Sequence, residues 1–206
     1  MEQMKTLIDF RKDYILENDA VLLRPLRLDD VNNLKKFSLE EPELWQYSMI
    51  SAAGIENLKK YIDLAEKGRT GEREYPFIVF DKKRNEYGGC TRFYDIQPMY
   101  QTMQLGYTWY GKDYQGTGLN KNCKFLLLEQ AFEKWKVERV EFRADNANER
   151  SKAAMKSIGC SVEGVLRSHM PKPGGGRRDS IVLSILKQEW ENGVKELIKS
   201  KIRAMD

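Results

Sequence analysis

The chain has 206 residues, of which 41% are hydrophobic and 11% aromatic, so it can bury a sizeable core and is not a disordered segment. Its 35 Lys and Arg residues exceed its 31 Asp and Glu residues by a net charge of only +4, which is too small for a dedicated nucleic-acid binder. The longest apolar runs, at 125–128 and 181–183, are far shorter than the roughly 20 residues of a membrane-spanning helix.

The N-terminus and the cysteine content indicate a protein that is not exported. Residues 1–5 lack the basic and apolar regions of a signal peptide, so we expect a cytoplasmic location. Three scattered cysteines, Cys90, Cys123 and Cys160, and a single histidine, His169, form neither a disulfide framework nor a Cys/His zinc site. We therefore expect reduced core thiols and no metal. No Gly-x-Ser-x-Gly turn accompanies His169, which disfavours a Ser-His-Asp hydrolase.

The first predicted elements are a β-hairpin and two helices. Apolar segments at 14–16 and 20–23 flank Asn18 and Asp19, two residues that tolerate the left-handed conformations of tight turns. Apolar residues at helical spacing then predict one helix over 28–37 and another over 55–64.

Strands and helices alternate in the rest of the chain. Residues 75–80, 87–95 and 103–110 predict three strands. A helix from Leu119, a strand over 140–144 and a helix over 154–158 come next. Two strands, 161–169 and 180–186, enclose a Pro- and Gly-rich loop, and an amphipathic helix spans 187–206. This order predicts an α/β fold and a single domain over 1–206, with its core at about 14–190.

The segment between the third strand and the next helix carries the clearest chemical signal. Gly116 and Gly118 directly precede the predicted helix, and such a loop offers backbone N–H groups and the positive end of the helix dipole to an anion. Residues 115–128 contain Lys121 and Lys124 but no acid, although acids are favoured in a first helical turn. A bound phosphate would compensate for the unfavourable interaction of these lysines with the positive end of the helix dipole. The alternative is a tight turn without a ligand. Neither a Walker loop nor a dinucleotide-binding glycine motif is present.

This segment resembles the coenzyme A loop of the GNAT superfamily of N-acetyltransferases, which reads Gln/Arg-x-x-Gly-x-Gly/Ala between a strand and a helix. Gln115 and Gly118 match that motif, and Asn120 replaces its last Gly or Ala. Residues 148–151, with the Glu-Gly pair at 163–164, resemble the Asn-x-x-Ser helix and the ending of the branch that includes the ribosomal-protein alanine N-acetyltransferases. The resemblance covers about residues 14–190.

The resemblance implies a GNAT-like fold, with a central mixed, mostly antiparallel sheet flanked by helices, and an extra C-terminal helix at 187–206. It implies transfer of an acetyl group from acetyl-CoA to a primary amine, either a protein N-terminus or a small molecule, without a metal. Nucleic acid and membrane are not expected as partners, and homodimer formation is left open. The expected coenzyme contacts are Trp109, Tyr110, Gln115, Gly116, Thr117, Gly118, Leu119, Asn120, Asn148 and Ser151.

Ser151 is the expected catalytic residue, as the acid that protonates the departing thiolate. On a helix it shares a face with Met155, which occupies the position where the superfamily often has a tyrosine acid. The alternative for Ser151 is a hydroxyl bonded to its own helix backbone. Asn148 is also predicted as a helix cap, which is compatible with a coenzyme contact.

Several roles stay open at this point. A carboxylate, His169 or a water chain would deprotonate the amine, and a backbone N–H near Trp109 and Tyr110 would stabilise the oxyanion. His169 has a structural alternative, and Asp179 is interpreted as an ion-pair partner of the preceding arginines, Arg177 and Arg178. The alternative function is a non-catalytic CoA-binding sensor or scaffold with the same fold, for which Asn120 and Met155 are the arguments. A phosphate-binding module for another nucleotide is disfavoured by the second motif.

Overall fold

The computed structural model describes residues 8–204, and across them eight strands form one open sheet. The strands are β1 (Leu16–Glu17), β2 (Val21–Pro25), β3 (Tyr75–Asp81), β4 (Glu86–Gln97), β5 (Thr102–Tyr110), β6 (Arg139–Asp145), β7 (Ser161–Pro171) and β8 (Arg177–Leu186). They lie in the order β1-β2-β3-β4-β5-β6-β8-β7. Within this sheet β5 and β6 are parallel, and the other neighbouring pairs are antiparallel. The predicted mixed, mostly antiparallel sheet is confirmed.

Helices cover both faces of the sheet. They are α1 (Val31–Glu40), α2 (Ile55–Thr70), α3 (Leu119–Glu129), α4 (Glu149–Ser157), α5 (Lys187–Glu189) and α6 (Lys195–Arg203). Trp109 of β5 packs on Phe37 of α1, whereas the next residue, Tyr110, faces Cys123 of α3. Because successive strand residues point to opposite faces, α1 and α3 lie on opposite sides of the sheet. Tyr61 of α2 lies on the α1 side, against Arg92 of β4.

The apolar periodicity that predicted these elements matches the observed burial. Along β6, the alternate residues Val140, Phe142 and Ala144 are buried, as a strand with one face on the core requires. Central strand β3 is buried almost throughout, because helices cover both of its faces. The three cysteines are buried and free, as expected.

Two local predictions need correction. In the first hairpin neither Asn18 nor Asp19 has a positive φ. Instead, the Asn18 side-chain oxygen accepts hydrogen bonds from the backbone N–H groups of Ala20 and Val21, both at 3.0 Å, so a side chain rather than a left-handed backbone closes this turn.

The second correction concerns the C-terminal helix predicted over 187–206. A π-helical turn and a kink interrupt it at Gly193, where φ is +151°. Trp190 and Ile198, on either side of this kink, are nonetheless both buried. Residues 205–206 lie outside the described part. Of the helices within 8–204, none combines the length and the apolar character that crossing a membrane requires.

Candidate active site

The central feature of the site is a split between β5 and β6. These strands pair only at Thr102–Arg139, Met103–Val140 and Gln104–Glu141, and then separate. Where they separate, Tyr107 has φ +48° and the register with β4 shifts, which marks a β-bulge that bends β5 away. Beyond this split, residues of both strands form the lining of a cleft of about 490 Å³.

The parallel direction of β5 and β6 brings two helix N-termini to this cleft. Both strands end at the same edge of the sheet, and α3 and α4 follow them in the chain. Such an edge, where neighbouring parallel strands send their connections to different helices, is a common place for a ligand site. Residues from the start of each helix, Asn120 and Ser151, line the cleft.

The loop before α3 has the geometry of an anion site. Gly116 and Gly118 have φ values of +77° and +88°, which side chains disfavour, and Gly118 caps the helix without a side-chain hydrogen bond. The backbone N–H groups of residues 116–120 donate no hydrogen bond to the described residues. The first turn of α3 contains no acid. The loop therefore offers several unused donors at the positive end of a helix.

Two side chains of this loop are occupied in holding its shape. The Gln115 amide nitrogen donates to the Tyr110 carbonyl at 2.9 Å, and its oxygen accepts from Arg150 of α4 at 2.5 Å. The Thr117 hydroxyl donates to the Tyr114 carbonyl at 2.9 Å. These contacts fix the loop to the end of β5 and to α4. Because both side chains are already hydrogen-bonded, Gln115 and Thr117 can contact a ligand only through their backbone groups.

Trp109, Tyr110 and Leu119 direct their side chains into the core. The centroid of the Trp109 ring lies 5.7 Å from that of Phe37 and 5.1 Å from that of Trp45. The Phe37 ring also packs directly against Gly111, just after β5, where a side chain would overlap it, so glycine is required at that position. The backbone of Trp109 and Tyr110, which also line the cleft, pairs with β4 on one edge and lies beyond the β6 pairing on the other.

The N-terminus of α4 forms the opposite wall. Asn148 caps the helix, since its side-chain oxygen accepts a hydrogen bond from the Ser151 N–H at 3.0 Å, as predicted. The Ser151 hydroxyl makes no hydrogen bond within the described residues, so the alternative of a backbone-bonded hydroxyl is not what the structure has. Ser151 and the buried Met155, one turn later, both line the cleft.

Lys124, which the sequence indicated only as one of two cations near the start of α3, is a residue of the cleft. It is 6% exposed, lines the cleft, and its Nζ donates to the Thr108 hydroxyl of β5 at 2.9 Å. No carboxylate of the described residues lies within ion-pair distance of it. Burial lowers the pKa of this lysine to about 8. The sequence predicted a cation favourable to a bound phosphate at this position, whereas its burial and its contact with β5 come from the fold.

The other face of the split carries aromatic and cationic groups. Tyr94 and Tyr107 pack edge to face at 5.0 Å, and Arg178 and His169 line the same cleft. His169 Nδ1 lies 3.0 Å from the hydroxyl of the buried Ser180, which fits the structural alternative, and its other ring nitrogen makes no hydrogen bond to the described residues.

The interpretation of Asp179 as an arginine partner is wrong. Its carboxylate accepts a hydrogen bond from the Ser168 backbone N–H at 2.7 Å and forms no ion pair with Arg177 or Arg178. Among the described residues there is also no group of three His, Cys, Asp or Glu side chains placed to hold a metal ion.

Comparisons with known proteins agree with this architecture. A family model described as "Acetyltransferase (GNAT) domain" matches residues 20–161, more than half of the chain. "Probable N-acetyltransferase YjcK" of Bacillus subtilis (strain 168) is 26% identical over 182 residues, which cover 86% of this chain and 99% of the relative. "Putative ribosomal N-acetyltransferase YdaF" of the same bacterium is 30% identical over 103 residues, 50% of this chain and 55% of the relative.

A solved structure supports the same assignment. A crystal structure described as that of a "putative acetyltransferase from T. thermophilus" matches with a TM-score of 0.81 and 32% identity, and covers 91% of this chain and 96% of that chain. The resemblance stated from the loop and helix motifs is therefore confirmed, and a ribosomal N-acetyltransferase is among the relatives, as the resembled branch predicts. The chain belongs to the GNAT family of acetyltransferases.

Proposed function

We propose that the cleft binds acetyl-CoA and that the protein transfers its acetyl group to a primary amine. The observation that carries the proposal is the row of unused N–H donors at residues 116–120, directly beside a split in the sheet. The coenzyme pyrophosphate would accept from these donors at the N-terminus of α3. Gly116 and Gly118 let the phosphates approach the backbone, and Asn120 lies at the cleft to add its amide.

The acyl arm of the coenzyme would follow β5 into the split. Its pantetheine amides match the spacing of a strand, and the edge of β5 at Trp109 and Tyr110 has no β6 partner to compete with them. Asn148 and Ser151 face that path from α4. Gln115 and Thr117 would act through their backbone, since their side chains are already bonded.

The chemical step would need only groups that the cleft supplies. As the amine nitrogen forms its bond to the acetyl carbon, a backbone N–H near Trp109 or Tyr110 would stabilise the oxyanion. Breakage of the C–S bond releases a thiolate, and the Ser151 hydroxyl, directly or through water, would give it a proton and recover one from solvent. The free nitrogen of His169 or a water chain would take the proton of the amine. Positioning supplies much of the rate, because a thioester is already activated.

The experiment is an acceptor screen that measures free CoA release from acetyl-CoA with peptides, polyamines and aminoglycosides. Acceptor-dependent release, with the acetylated amine identified by mass spectrometry, is the expected result. Coenzyme binding by calorimetry without release for any amine would favour the CoA-binding sensor or scaffold instead. Reaction mixtures without acceptor control for hydrolysis of the thioester.

The proposal takes residues 1–206 as a single N-acetyltransferase domain. The sheet extends from Leu16 to Leu186, and Trp190, which follows it, stacks on Phe132 after α3 at 5.6 Å. This packing supports assigning the C-terminal helical segment to the same domain as the sheet. A cytoplasmic location stays a prediction of the sequence.

A further inference from the structure

Arg178, at the start of β8, is a nearly buried cation at the cleft. It is 8% exposed, and its Nε donates to the Ser180 hydroxyl at 2.9 Å. No carboxylate of the described residues lies within ion-pair distance of its guanidinium, and its two terminal nitrogens donate no hydrogen bond to those residues. Burial lowers the pKa of Arg178, which records an incompletely compensated charge.

The carboxylates around Arg178 are already committed to other partners. Asp145 pairs with Lys172 at 3.2 Å, and Asp179 accepts from the Ser168 backbone. Glu141 pairs with Arg143 at 2.6 Å on the neighbouring strand.

The same holds farther along this face of the sheet. Glu74 pairs with the buried Arg92 at 2.6 Å, and Asp95 accepts hydrogen bonds from the side chains of Gln97 and Gln104. On this face of the sheet, therefore, the guanidinium of Arg178 has no carboxylate of the described residues as an ion-pair partner.

This charge lies on the face of the sheet away from the coenzyme loop. Ser180 is paired with Asp145, and Val182 with Arg143, so Arg178 shares their side of the sheet by the two-residue alternation of β8. Glu141 of β6, Gln104 of β5 and Tyr94 of β4 are paired in register, so their side chains lie on this same side of the sheet. Arg92, two residues before Tyr94, also lies on this side and packs against Tyr61 of α2.

Lys124 of α3 occupies the opposite side, over the Phe142 ring at 5.7 Å. An anion on Arg178 is thus separated by the sheet from the helix that would hold the coenzyme phosphates, and it belongs to a second ligand.

We propose that Arg178 binds a carboxylate of the acceptor, so that the substrate class is a primary amine that also carries a carboxylate, such as an acidic peptide or an amino acid. This inference rests on the proposed function. A guanidinium presents planar, parallel N–H donors that match a carboxylate in a bidentate pair. Ser180 fixes the Nε side of the group, which leaves the terminal nitrogens for the ligand. Tyr94 and Tyr107 supply apolar surface for the chain between amine and carboxylate.

The experiment compares amines that differ only in this charge. The pairs are 3-aminopropanoate with 3-aminopropanamide, and the C-terminally amidated peptides Ala-Glu-Ala-Ala and Ala-Gln-Ala-Ala. For each, kcat/KM is measured by CoA release, and binding to the CoA-saturated protein is measured by calorimetry. We expect a preference of about 10-fold or more for at least one carboxylate member, because a charged hydrogen-bonded pair is involved.

Variants test whether Arg178 causes the preference for the carboxylate. Arg178→Gln should reduce this preference to about 1-fold, because kcat/KM falls more for the carboxylate member than for the amide member, and Arg178→Lys should keep part of it. Arg167→Gln, at an exposed position of β7, removes the same charge outside the cleft and should keep the full preference. Unchanged acetyl-CoA affinity and melting temperature verify that each variant is folded.

Three outcomes would overturn the inference. One is equal use of the carboxylate and amide members by the native protein. Another is loss of acetyl-CoA affinity in Arg178→Gln, which would assign the arginine to the coenzyme. The third is tighter use of 2-aminoethyl phosphate than of the carboxylates, which would assign a phosphate to this site. If no amine releases CoA, the proposed function fails, and the calorimetric comparison still decides whether Arg178 selects a carboxylate.

Discussion

Ser151 combines a capping position with an unengaged hydroxyl. Its backbone N–H is held by Asn148, so the side chain is positioned without using its own oxygen. We expect Ser151→Ala to lower kcat by about 10-fold, and at most about 100-fold, because proton delivery is useful only as the thiolate departs and a thiolate is a good leaving group. The dissociation constant of acetyl-CoA should change by no more than about 3-fold. Steady-state kinetics and calorimetry measure the two quantities.

A matched control for this variant lies six residues farther along α4. Ser157 donates its hydroxyl to the Ala154 carbonyl at 2.7 Å and does not line the cleft, so Ser157→Ala should leave kcat unchanged. Equal kcat in Ser151→Ala and the native protein would remove Ser151 from the mechanism. Weaker acetyl-CoA binding with unchanged kcat would make it a coenzyme contact.

Lys124 makes stability depend on pH. Its pKa is lowered to about 8 from 10.5 by burial, so below pH 8 the ammonium is charged in both states and its burial destabilises the fold fully. Between pH 8 and 10.5 the unfolded chain binds more protons than the folded one, and the stability of the native protein rises. Lys124→Met removes the penalty, so the variant should be the more stable at pH 7. Its advantage should shrink by roughly 3 kcal/mol by pH 10.5.

Urea unfolding of both proteins from pH 7 to 10.5 measures this difference. Lys156→Met, on the exposed side of α4, is the control for losing one positive charge without changing the cleft. A Lys124→Met advantage that stays constant over this range would show that packing, and not the buried charge, causes it.

The loop between β5 and α3 tests the coenzyme site at the level of an element. Gly118 has φ +88° and caps α3, so a glutamate there adds backbone strain and a negative charge beside the free N–H groups. We expect Gly118→Glu to weaken acetyl-CoA binding by about 100-fold or more, an effect of charge that calorimetry measures. Gly118→Gln carries the same strain without the charge and should bind more tightly than Gly118→Glu. Native affinity in Gly118→Glu would place the coenzyme elsewhere.

Elements with a regular apolar period were predictable from the sequence, and irregular ones were not. Leu34 and Phe37 in α1, like Leu58 and Ile62 in α2, are buried at the spacing that predicted these helices. The kink at Gly193 was missed because the apolar residues on both sides continue the same face, and only the backbone reveals the break.

Prediction of the site was limited in the same way. The glycine loop and the Asn148 cap depend on neighbouring residues, and local sequence indicated both. Lys124 and Arg178 acquire their significance from β5, β6 and β8, which lie far away in the chain but adjacent in the sheet. The sequence shows that these cations are present, but their lack of a carboxylate partner is a property of the assembled fold.

At the scale of the whole molecule, ligand binding should be measurable as stability. A site built from β5, α3 and α4 exists only in the folded chain, so acetyl-CoA binds the native state alone and raises the melting temperature by mass action. At a concentration about 100 times its dissociation constant the gain is about 2.7 kcal/mol. For a chain of this size that corresponds to roughly 5–10 °C in differential scanning fluorimetry. Gly118→Glu should show no shift, and an unchanged native melting temperature would contradict the coenzyme assignment.

The short pairing of β5 with β6 also determines where the folded molecule opens locally. Three residue pairs join β1–β5 to β6–β8, whereas seven pairs join β6 to β8, and parallel pairing is slightly weaker per residue. Apart from the two-pair junction of β1 with β2 at the edge of the sheet, this is the shortest junction between neighbouring strands in the described residues, and it coincides with the cleft. We expect amide hydrogens along the β5–β6 junction to exchange with solvent through openings that leave both halves of the sheet intact. A ligand lying across this junction would slow exchange on its two sides together, including at amides that it does not touch.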